Sequence, residues 1–499
     1  MPRFGYLHDD GILYGSAFGL ATSSEYQIVS LPERPFQTKY PPLYPLYMSM
    51  VWKLNPKFPE NLALATFFNW LLLPVFLALC WNVFRPPGFG ESSRLCLMAF
   101  LSVNVVLLLF GISVMTELFF TCGLLVVLLV MEKDTRHSAL LAGILAGAVY
   151  LSRTAGIALL AAGPAWYLWK RTPRRAFLFA IGMAPFVVAW TSWSRAHQLP
   201  TNEPGIVFYT DYVRFQLLNV DAHNFGRVVV SNLRELFYGM GSLFFPKVSD
   251  SALLKVSAAA AVLATVSGCL RMMRNGAMQA YGAFAIVSLG ILAVWHYPPN
   301  ERFLLPLLPF FAAGIATELL WIAGHIRNAA AGTDTGNRIA SWVLGGVLAV
   351  GVSGIVVTQL YGVFRFLPRM METERAHQSA LGETYSWIAA HVPVGSQVLS
   401  ADDPVLFLYT GLRGNTVPLL PRDWYEGGSA TPAIYANIAD YCRRRHLDYF
   451  LYGPEDLARH WTRPENADEI QRILNENHAL EAIHTSPAGT VYRVLPAAN

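Results

Sequence analysis

Cysteine and charged residues are both scarce in this chain of 499 residues. It has only five cysteines, most of them in apolar stretches, so neither a disulfide framework nor the paired spacing of a zinc site can be drawn. Charged side chains make up 14% of the sequence, and 37 basic residues nearly balance 33 acidic ones without a concentrated basic stretch. This composition argues against a nucleic-acid partner. Internal repeats and a glycine-rich phosphate loop are also lacking.

Hydrophobic residues, by contrast, make up 54% of the chain, which is the composition of an integral membrane protein. Apolar runs that are long enough to span, or nearly span, a bilayer predict about ten helices. These runs lie at about 61–84, 93–114, 117–131, 138–152, 155–169, 176–194, 252–270, 280–297, 303–325 and 338–361.

Lysine and arginine are distributed unevenly between the connections of these helices. One alternate set of short connections contains nearly all of them, whereas the opposite set contains only Arg153 and Arg302. The positive-inside rule therefore places the first set in the cytoplasm. The outer side then receives the first sixty residues, the loop at about 195–251, the turn at 296–302 and the chain from about 362.

The sequence predicts a mostly α protein of three parts. Residues 1–60 form an outer loop in which prolines delimit two short interfacial helices, the second running from about Pro42 to Leu54. Residues 61–361 form the membrane domain. Residues 362–499 are more polar, and alternating helical and strand-like segments predict a small extracytoplasmic α/β domain. The predicted helices are 383–392, 431–446 and 465–477, and the predicted strands are 396–401, 447–453 and 490–495.

The first sixty residues contain the most informative polar pattern. An acidic pair, Asp9-Asp10, precedes the stretch Lys39-Tyr40-Pro41-Pro42-Leu43-Tyr44-Pro45 by about thirty residues. A carboxylate, predicted to be Asp10, could take the proton of an attacking hydroxyl or amine, while Lys39 neutralises an anionic leaving group. The alternatives are a solvated turn for the acidic pair, a lysine that snorkels to lipid headgroups, and an aromatic belt for the tyrosines.

Three further candidates lie at outer helix ends. Glu117 begins an apolar helix, where an ionised group costs up to about 3 kcal/mol at full depth, so it is either a site residue or part of a helix cap. Arg302 offers two parallel donors to a phosphate, or else anchors the chain at the interface. His296, beside Tyr297, could contact a sugar or a metal, although a lone histidine is more often packed.

Together these segments resemble the polytopic GT-C glycosyltransferases, the group that includes protein O-mannosyltransferases and lipid A aminoarabinose transferases. Their first outer loop carries an acidic pair and then a Lys-x-Pro-Pro or Tyr-Pro-Pro stretch. Thr116-Glu117 is similar to their Ser/Thr-Glu pair, and Ser152-Arg153-Thr154-Ala155-Gly156 resembles their Thr-Arg-Pro-x-Gly. Arg302-Phe303-Leu304-Leu305-Pro306 resembles their Arg-Tyr-Leu-x-Pro, with Phe303 in place of tyrosine. The resemblance covers roughly residues 5–325.

The resemblance implies an inverting glycosyltransferase, which moves a hexose or pentose from a polyprenyl-phosphate donor to a glycolipid, polysaccharide or protein acceptor. The reaction would occur on the outer face of the plasma membrane, the inner membrane of a bacterium. The implied catalytic residues are Asp10, Asp9 and Glu117. The implied phosphate ligands are Lys39, Arg302 and Arg153, and the implied pocket residues are Tyr40, Tyr44, His296 and Tyr297.

Some branches of the wider fold use a divalent metal, but no ligand set is legible in this sequence. A lipid-linked sugar flippase and a noncatalytic membrane scaffold are the alternative functions. A flippase predicts ionisable residues midway along helices, whereas the interior residues of the predicted spans are nearly all apolar or small. The resembled families also have a membrane helix directly before the acidic pair, so we expect one upstream of this chain, unless the first predicted span delivers the acidic segment outside.

A second acidic pair, Asp402-Asp403, lies in the C-terminal part and precedes Pro404. Aspartate followed by proline is typical of turns. The sequence therefore predicts a turn after a strand here, without a catalytic partner nearby.

Overall fold

The computed structural model describes residues 3–85, 88–133, 135, 137–331, 335–453 and 466–497. It confirms the predicted fold class, a mostly helical membrane protein with a small C-terminal sheet. The N-terminal segment forms α1 (Asp9–Thr22) and α2 (Leu43–Leu54). The two helices pack on each other, and the Trp52 indole donates a 3.2 Å hydrogen bond to the Tyr14 carbonyl. The second helix matches its predicted bounds to within one residue.

Each of the ten predicted apolar runs contains a helix. They are α3 (Leu62–Trp70), α4 (Leu72–Val83), α5 (Glu91–Ser102), α6 (Val105–Gly111), α7 (Glu117–Met131), α8 (Ser138–Tyr150), α9 (Ala158–Trp169), α10 (Pro173–Ala196), α14 (Ala252–Arg274), α15 (Gln279–Ala293), α17 (Leu308–Ala330) and α18 (Thr335–Tyr361). Five helical segments within the described residues are long and apolar enough to cross a membrane: Leu62–Val83, Pro173–Ala196, Ala252–Arg274, Glu301–Ala330 and Arg338–His391. The bent pair α5–α6 makes a sixth if it counts as one span.

Close packing between α14 and α17 depends on two glycines. A Cβ atom on Gly268 would lie 1.9 Å from the Gly314 carbonyl oxygen, and one on Gly314 would lie 2.3 Å from Cys269 Sγ. Small residues allow helix backbones to approach this closely inside a bilayer. The two helices therefore pack directly against each other, and α17 continues the helical segment that begins at Glu301.

The outer loop at about 195–251 is helical, which the sequence did not predict. It forms α11 (Pro204–Thr210), α12 (Tyr212–Asn219) and α13 (Phe225–Ser242), and α16 (Glu301–Leu304) follows later in the chain. The last span also continues without a break beyond the membrane domain. A single helix runs from Arg338 to His391, of which α19 (Leu367–His391) is the outer part, so a helix connects the membrane domain to the C-terminal domain.

The C-terminal domain is built on a five-stranded sheet of order β2-β1-β3-β5-β4. The strands are β1 (Gln397–Ser400), β2 (Arg413–Asn415), β3 (Tyr449–Tyr452), β4 (Leu480–Ser486) and β5 (Gly489–Val494). The first three pair in parallel, whereas β5 is antiparallel to β3 and β4. The three predicted strands are confirmed as β1, β3 and β5. The edge strands β2 and β4 were missed, because one has three residues and the other is largely polar.

Helices cover this sheet: α20 (Asp403–Thr410), α21 (Pro421–Glu426), α22 (Thr431–Ala436), α23 (Ile438–Arg444) and α24 (Ala467–Glu476). The helix predicted at 465–477 corresponds to α24, although residue 465 lies outside the described residues. The turn predicted at the second acidic pair is confirmed at Asp402, which follows β1, whereas Asp403 already begins α20. Asp402 also lies 3.2 Å from the ring of His8, the residue next to Asp9.

Candidate active site

Two adjoining cavities lie between the ends of membrane helices and the N-terminal segment. The smaller has a volume of about 60 Å³ and the larger about 530 Å³. Six residues line both cavities: Lys39, Arg153, Thr154, Tyr212, Trp295 and Phe303. The larger cavity has apolar walls from membrane helices, including Trp190 of α10 and Ile291 and Leu292 of α15. The smaller cavity is thus lined by charged side chains, and the larger cavity that adjoins it has mainly apolar walls.

Asp9 is the carboxylate of the smaller cavity. Its Oδ2 accepts a 2.6 Å bond from Arg302 Nη2, and its Oδ1 accepts a 2.5 Å bond from the Tyr40 hydroxyl. Burial alone would raise the pKa of Asp9, but Arg302, Tyr40 and the nearby Lys39 outweigh it and lower the pKa to about 2. Asp9 is therefore an ionised, firmly oriented carboxylate at neutral pH, with 23% of its side chain exposed.

Glu117 holds the two arginines of the site. Its Oε1 lies 2.6 Å from Arg153 Nη1 and also accepts from Arg302 Nε, and its side chain is fully buried. Arg302 thereby bridges Glu117 and Asp9, while Arg153 also packs beside the ring of Phe303. Glu117 does not line either cavity. Its position fits a residue that orients guanidinium groups better than one that touches a substrate.

Lys39 lies between the two cavities and is almost fully buried. Its Nζ donates a 2.5 Å hydrogen bond to the Phe208 carbonyl and stands 4.0 Å from the centre of the Phe208 ring. The turn that presents it is fixed by Gln37, whose side-chain oxygen accepts from the backbone N–H groups of Lys39 and Tyr40. The ammonium is thus preorganised before any ligand arrives.

Asp10, Tyr44 and His296 line neither cavity. The Asp10 carboxylate is buried and accepts from the backbone N–H groups of Tyr6, at 3.3 Å, and Gly11, at 2.8 Å. The structure therefore points to Asp9, and not to Asp10 as the sequence predicted, as the carboxylate of the pocket. Neighbouring residues on a helix point about 100° apart, which allows Asp9 to face the cavity while Asp10 lies against the backbone of Tyr6 and Gly11.

Tyr44 and His296 are buried in packing contacts. The Tyr44 hydroxyl is 2.9 Å from Asn69 Nδ2, and His296 Nδ1 donates a 2.5 Å bond to Gln216 Oε1. Burial lowers the pKa of His296 well below its usual value, and nearby Lys39 adds to this, so the ring is neutral. Neither side chain is placed to touch a sugar directly. The other two predicted pocket residues, Tyr40 and Tyr297, do line the smaller cavity.

Sequence reasoning missed Tyr212 and Trp295, which line both cavities. Tyr212 begins α12 in the outer loop, and the Asp211 side chain caps that helix by accepting from Arg214 N at 2.9 Å. A capping aspartate before an aromatic residue was the available signal, but it gives no direction for the ring. Trp295 directly precedes the recognised segment at His296.

A metal site is not evident among the described residues, where no group of three or more His, Cys, Asp and Glu side chains converges. Asp9 is instead surrounded by positive charge from Arg302 and Lys39. The arrangement can do two things chemically: the carboxylate can accept or orient a proton donor, and the cations can bind an anion beside it.

Comparisons with known proteins identify the fold. No family model and no curated protein sequence matches the chain. Two crystal structures of ArnT from Cupriavidus metallidurans are similar to it, each covering 97% of this chain with a TM-score of 0.53. The apo structure is 12% identical and the chain covers 92% of it; the structure bound to undecaprenyl phosphate is 14% identical and 93% covered. The chain therefore has the GT-C fold of the polytopic membrane glycosyltransferases, as its motifs predicted.

Proposed function

We propose that this protein is a membrane glycosyltransferase that takes a sugar from a polyprenyl-phosphate donor and passes it to an acceptor. The observation that carries the proposal is the convergence of one oriented carboxylate, Asp9, with Lys39, Arg153 and Arg302 where the two cavities meet. The shared fold with ArnT, which has been crystallised with undecaprenyl phosphate, supports a polyprenyl-linked donor.

The larger cavity suits the donor lipid. Its apolar walls come from helices of the membrane domain, so a prenyl chain could enter sideways from the bilayer without crossing water. The phosphate would then stop at Lys39 and Arg153, which line both cavities, and the sugar would reach the smaller cavity beside Asp9. Arg302, which lines the smaller cavity, would also contact the phosphate.

One direct displacement accounts for the transfer. The acceptor hydroxyl or amine attacks the anomeric carbon, the bond from that carbon to the phosphate oxygen breaks, and its electron pair stays on the phosphate. Lys39 and the arginines stabilise the charge that develops there. Asp9 orients the nucleophile and takes its proton; because the pKa of this carboxyl is about 2, we expect the proton to move late, as the new bond forms. A single displacement inverts the anomeric configuration.

The acceptor would be a glycolipid, a polysaccharide or a protein. It would approach the open cavity from the outer face of the membrane, the side on which the positive-inside rule predicts the site. Either a hexose or a pentose suits this chemistry. The donor is thus defined by its phosphate and its lipid, and the shape of the smaller cavity would select the sugar.

We expect donor binding to depend on pH because Lys39 contacts the donor phosphate. Burial lowers the pKa of Lys39 to about 8, although Asp9 raises it, so the ammonium is present below that pH and is lost above it. The donor KM should therefore rise as the pH increases from about 7 to about 9, by about tenfold. In Lys39→Arg, which keeps its charge, the KM should change much less over this range. Steady-state transfer kinetics measure it, and identical KM profiles for both proteins would contradict the assignment.

The function itself is tested in proteoliposomes with polyprenyl-phosphate donors that carry radiolabelled sugars. We expect the labelled sugar to leave the polyprenyl phosphate and to appear in an added membrane acceptor with the inverted anomeric configuration. Label that crosses the bilayer while still attached to the polyprenyl phosphate would identify a flippase instead. Label that stays in place with every donor of a broad panel would favour a scaffold.

A further inference from the structure

The C-terminal α/β domain makes buried polar contacts with the segment that carries Asp9. Three acidic side chains outside the cavities, Asp10, Asp402 and Asp403, are each at most 3% exposed and lie close to His8, which is 7% exposed. Buried acids persist in proteins when partners satisfy them. The partners here come from three distant parts of the chain, so the cluster joins the N-terminal segment to the outer loop and to the C-terminal domain.

His8 is the centre of this junction. Its Nδ1 lies 3.2 Å from Asp402 Oδ1, and its Nε2 lies 3.1 Å from the Tyr209 hydroxyl of α11. The same hydroxyl donates to Asp403 Oδ1, so its single proton is committed and its oxygen accepts from the histidine. Tyr209 is completely buried. The imidazole is thus held from both sides, by the α/β domain and by the outer loop.

The backbone at His8 requires such support. Its φ is 57° and its ψ is −48°, a positive-φ conformation that residues other than glycine rarely adopt, and this turn directly precedes the first residue of α1, Asp9. The first turn of α1 also packs on the start of α20, where a Cβ on Gly11 would lie 3.0 Å from Val405. The direction in which Asp9 points therefore depends on how the α/β domain seats this turn.

Two further contacts hold the residues that precede His8. Arg3 Nε is 3.1 Å from Glu374 Oε1, and Gln378 donates to the Phe4 carbonyl; both partners lie on α19, which leads into the α/β domain. Each of these contacts lies within six residues of Asp9. None of these side chains lines the two cavities, so substituting them leaves the donor site itself intact.

We propose that the α/β domain positions the catalytic carboxylate. Asp402 and Asp403 act as positioning residues that, through His8 and Tyr209, hold the positive-φ turn from which Asp9 faces Arg302 and Tyr40. The domain is then part of the catalytic machinery and not merely a cover or an acceptor platform. The inference rests on the proposed function in taking Asp9 as the catalytic group.

The test compares Asp402→Asn and Tyr209→Phe with the wild-type protein. Tyr209→Phe keeps the ring and removes only the hydroxyl, so it preserves the packing if Asp402→Asn folds poorly. The matched control is Asp423→Asn in the same domain, a buried carboxylate that accepts from Ala430 N and Thr431 Oγ1, away from His8. Hydrogen exchange of residues 3–13 is measured in the full chain, followed by the kinetics of sugar transfer.

We expect exchange in residues 3–13 to be about tenfold faster in both test variants and unchanged in the control. Transfer should show kcat lowered by about 10- to 100-fold with donor KM changed less than about threefold, because the phosphate site is untouched. Unchanged exchange, or faster exchange with unchanged kcat, would overturn the inference. If the wild-type protein transfers no sugar, the proposed function fails, and the exchange result alone still decides whether the domain holds this turn.

Discussion

Asp9→Asn is expected to lower the rate of sugar transfer by about 100- to 10,000-fold, the range that loss of a catalytic base covers. The reason is its placement: Asp9 lines the smaller cavity and is held at 2.6 Å from Arg302 and 2.5 Å from the Tyr40 hydroxyl. Asparagine keeps the shape of the side chain but neither takes a proton nor balances the guanidinium. Donor KM should change less than kcat, since the phosphate ligands stay in place.

Asp10→Asn is the matched comparison for this prediction. Its carboxylate accepts from two backbone N–H groups and lines neither cavity, so the loss should be at most about tenfold. Both variants are assayed for kcat at equal amounts of folded protein, with the same donor. A larger loss in Asp10→Asn than in Asp9→Asn would contradict the assignment and restore the expectation drawn from the sequence.

Glu117→Gln is expected to destabilise the protein by about 3–5 kcal/mol, the usual cost of removing one partner from a buried ion pair. Glu117 is fully buried, and its carboxylate contacts both Arg153 and Arg302. A neutral amide leaves two buried guanidinium groups with less countercharge. Transfer should fall as well, because both arginines lose the group that orients them toward the donor phosphate.

Thermal unfolding of the detergent-solubilised protein, followed by tryptophan fluorescence, measures this effect. Glu318→Gln is the control, because Glu318 pairs with Arg271 at 3.1 Å, where 30% of the arginine side chain is exposed. We expect the control to lower Tm by less than half as much. An equal or smaller decrease in Glu117→Gln would show that the charge of Glu117 is not needed to hold the arginines.

Much of the fold was predictable, because the signals that set it are local. Each of the ten predicted apolar runs contains a helix, and the proline before Leu43 marked the start of α2. The outer-loop helices were not predictable in the same way. α11 and α12 have only seven and eight residues, too few for an amphipathic pattern to stand out, whereas the longer α13 is amphipathic and was simply missed. The edge strand β4 was missed because its side chains are mostly polar.

The site was predictable in its residue types but not in its geometry. Arg302 and Glu117 were both recognised, yet nothing in the sequence indicates that residues 185 positions apart form an ion pair. The choice between Asp9 and Asp10 depends on the turn at His8, which the distant Asp402 supports. Such long-range contacts depend on tertiary packing, and the spacing of residues along the chain does not reveal them.

The binding of polyprenyl phosphate can be measured through the fluorescence of Trp190 and Trp295 in the larger cavity. We expect saturable binding of polyprenyl phosphate, much weaker binding of the uncharged polyprenol, and a loss of about tenfold or more in affinity in Lys39→Met. Equal binding of the phosphate and the alcohol, or unchanged affinity in Lys39→Met, would contradict the claim that this cavity holds a phosphate-linked donor.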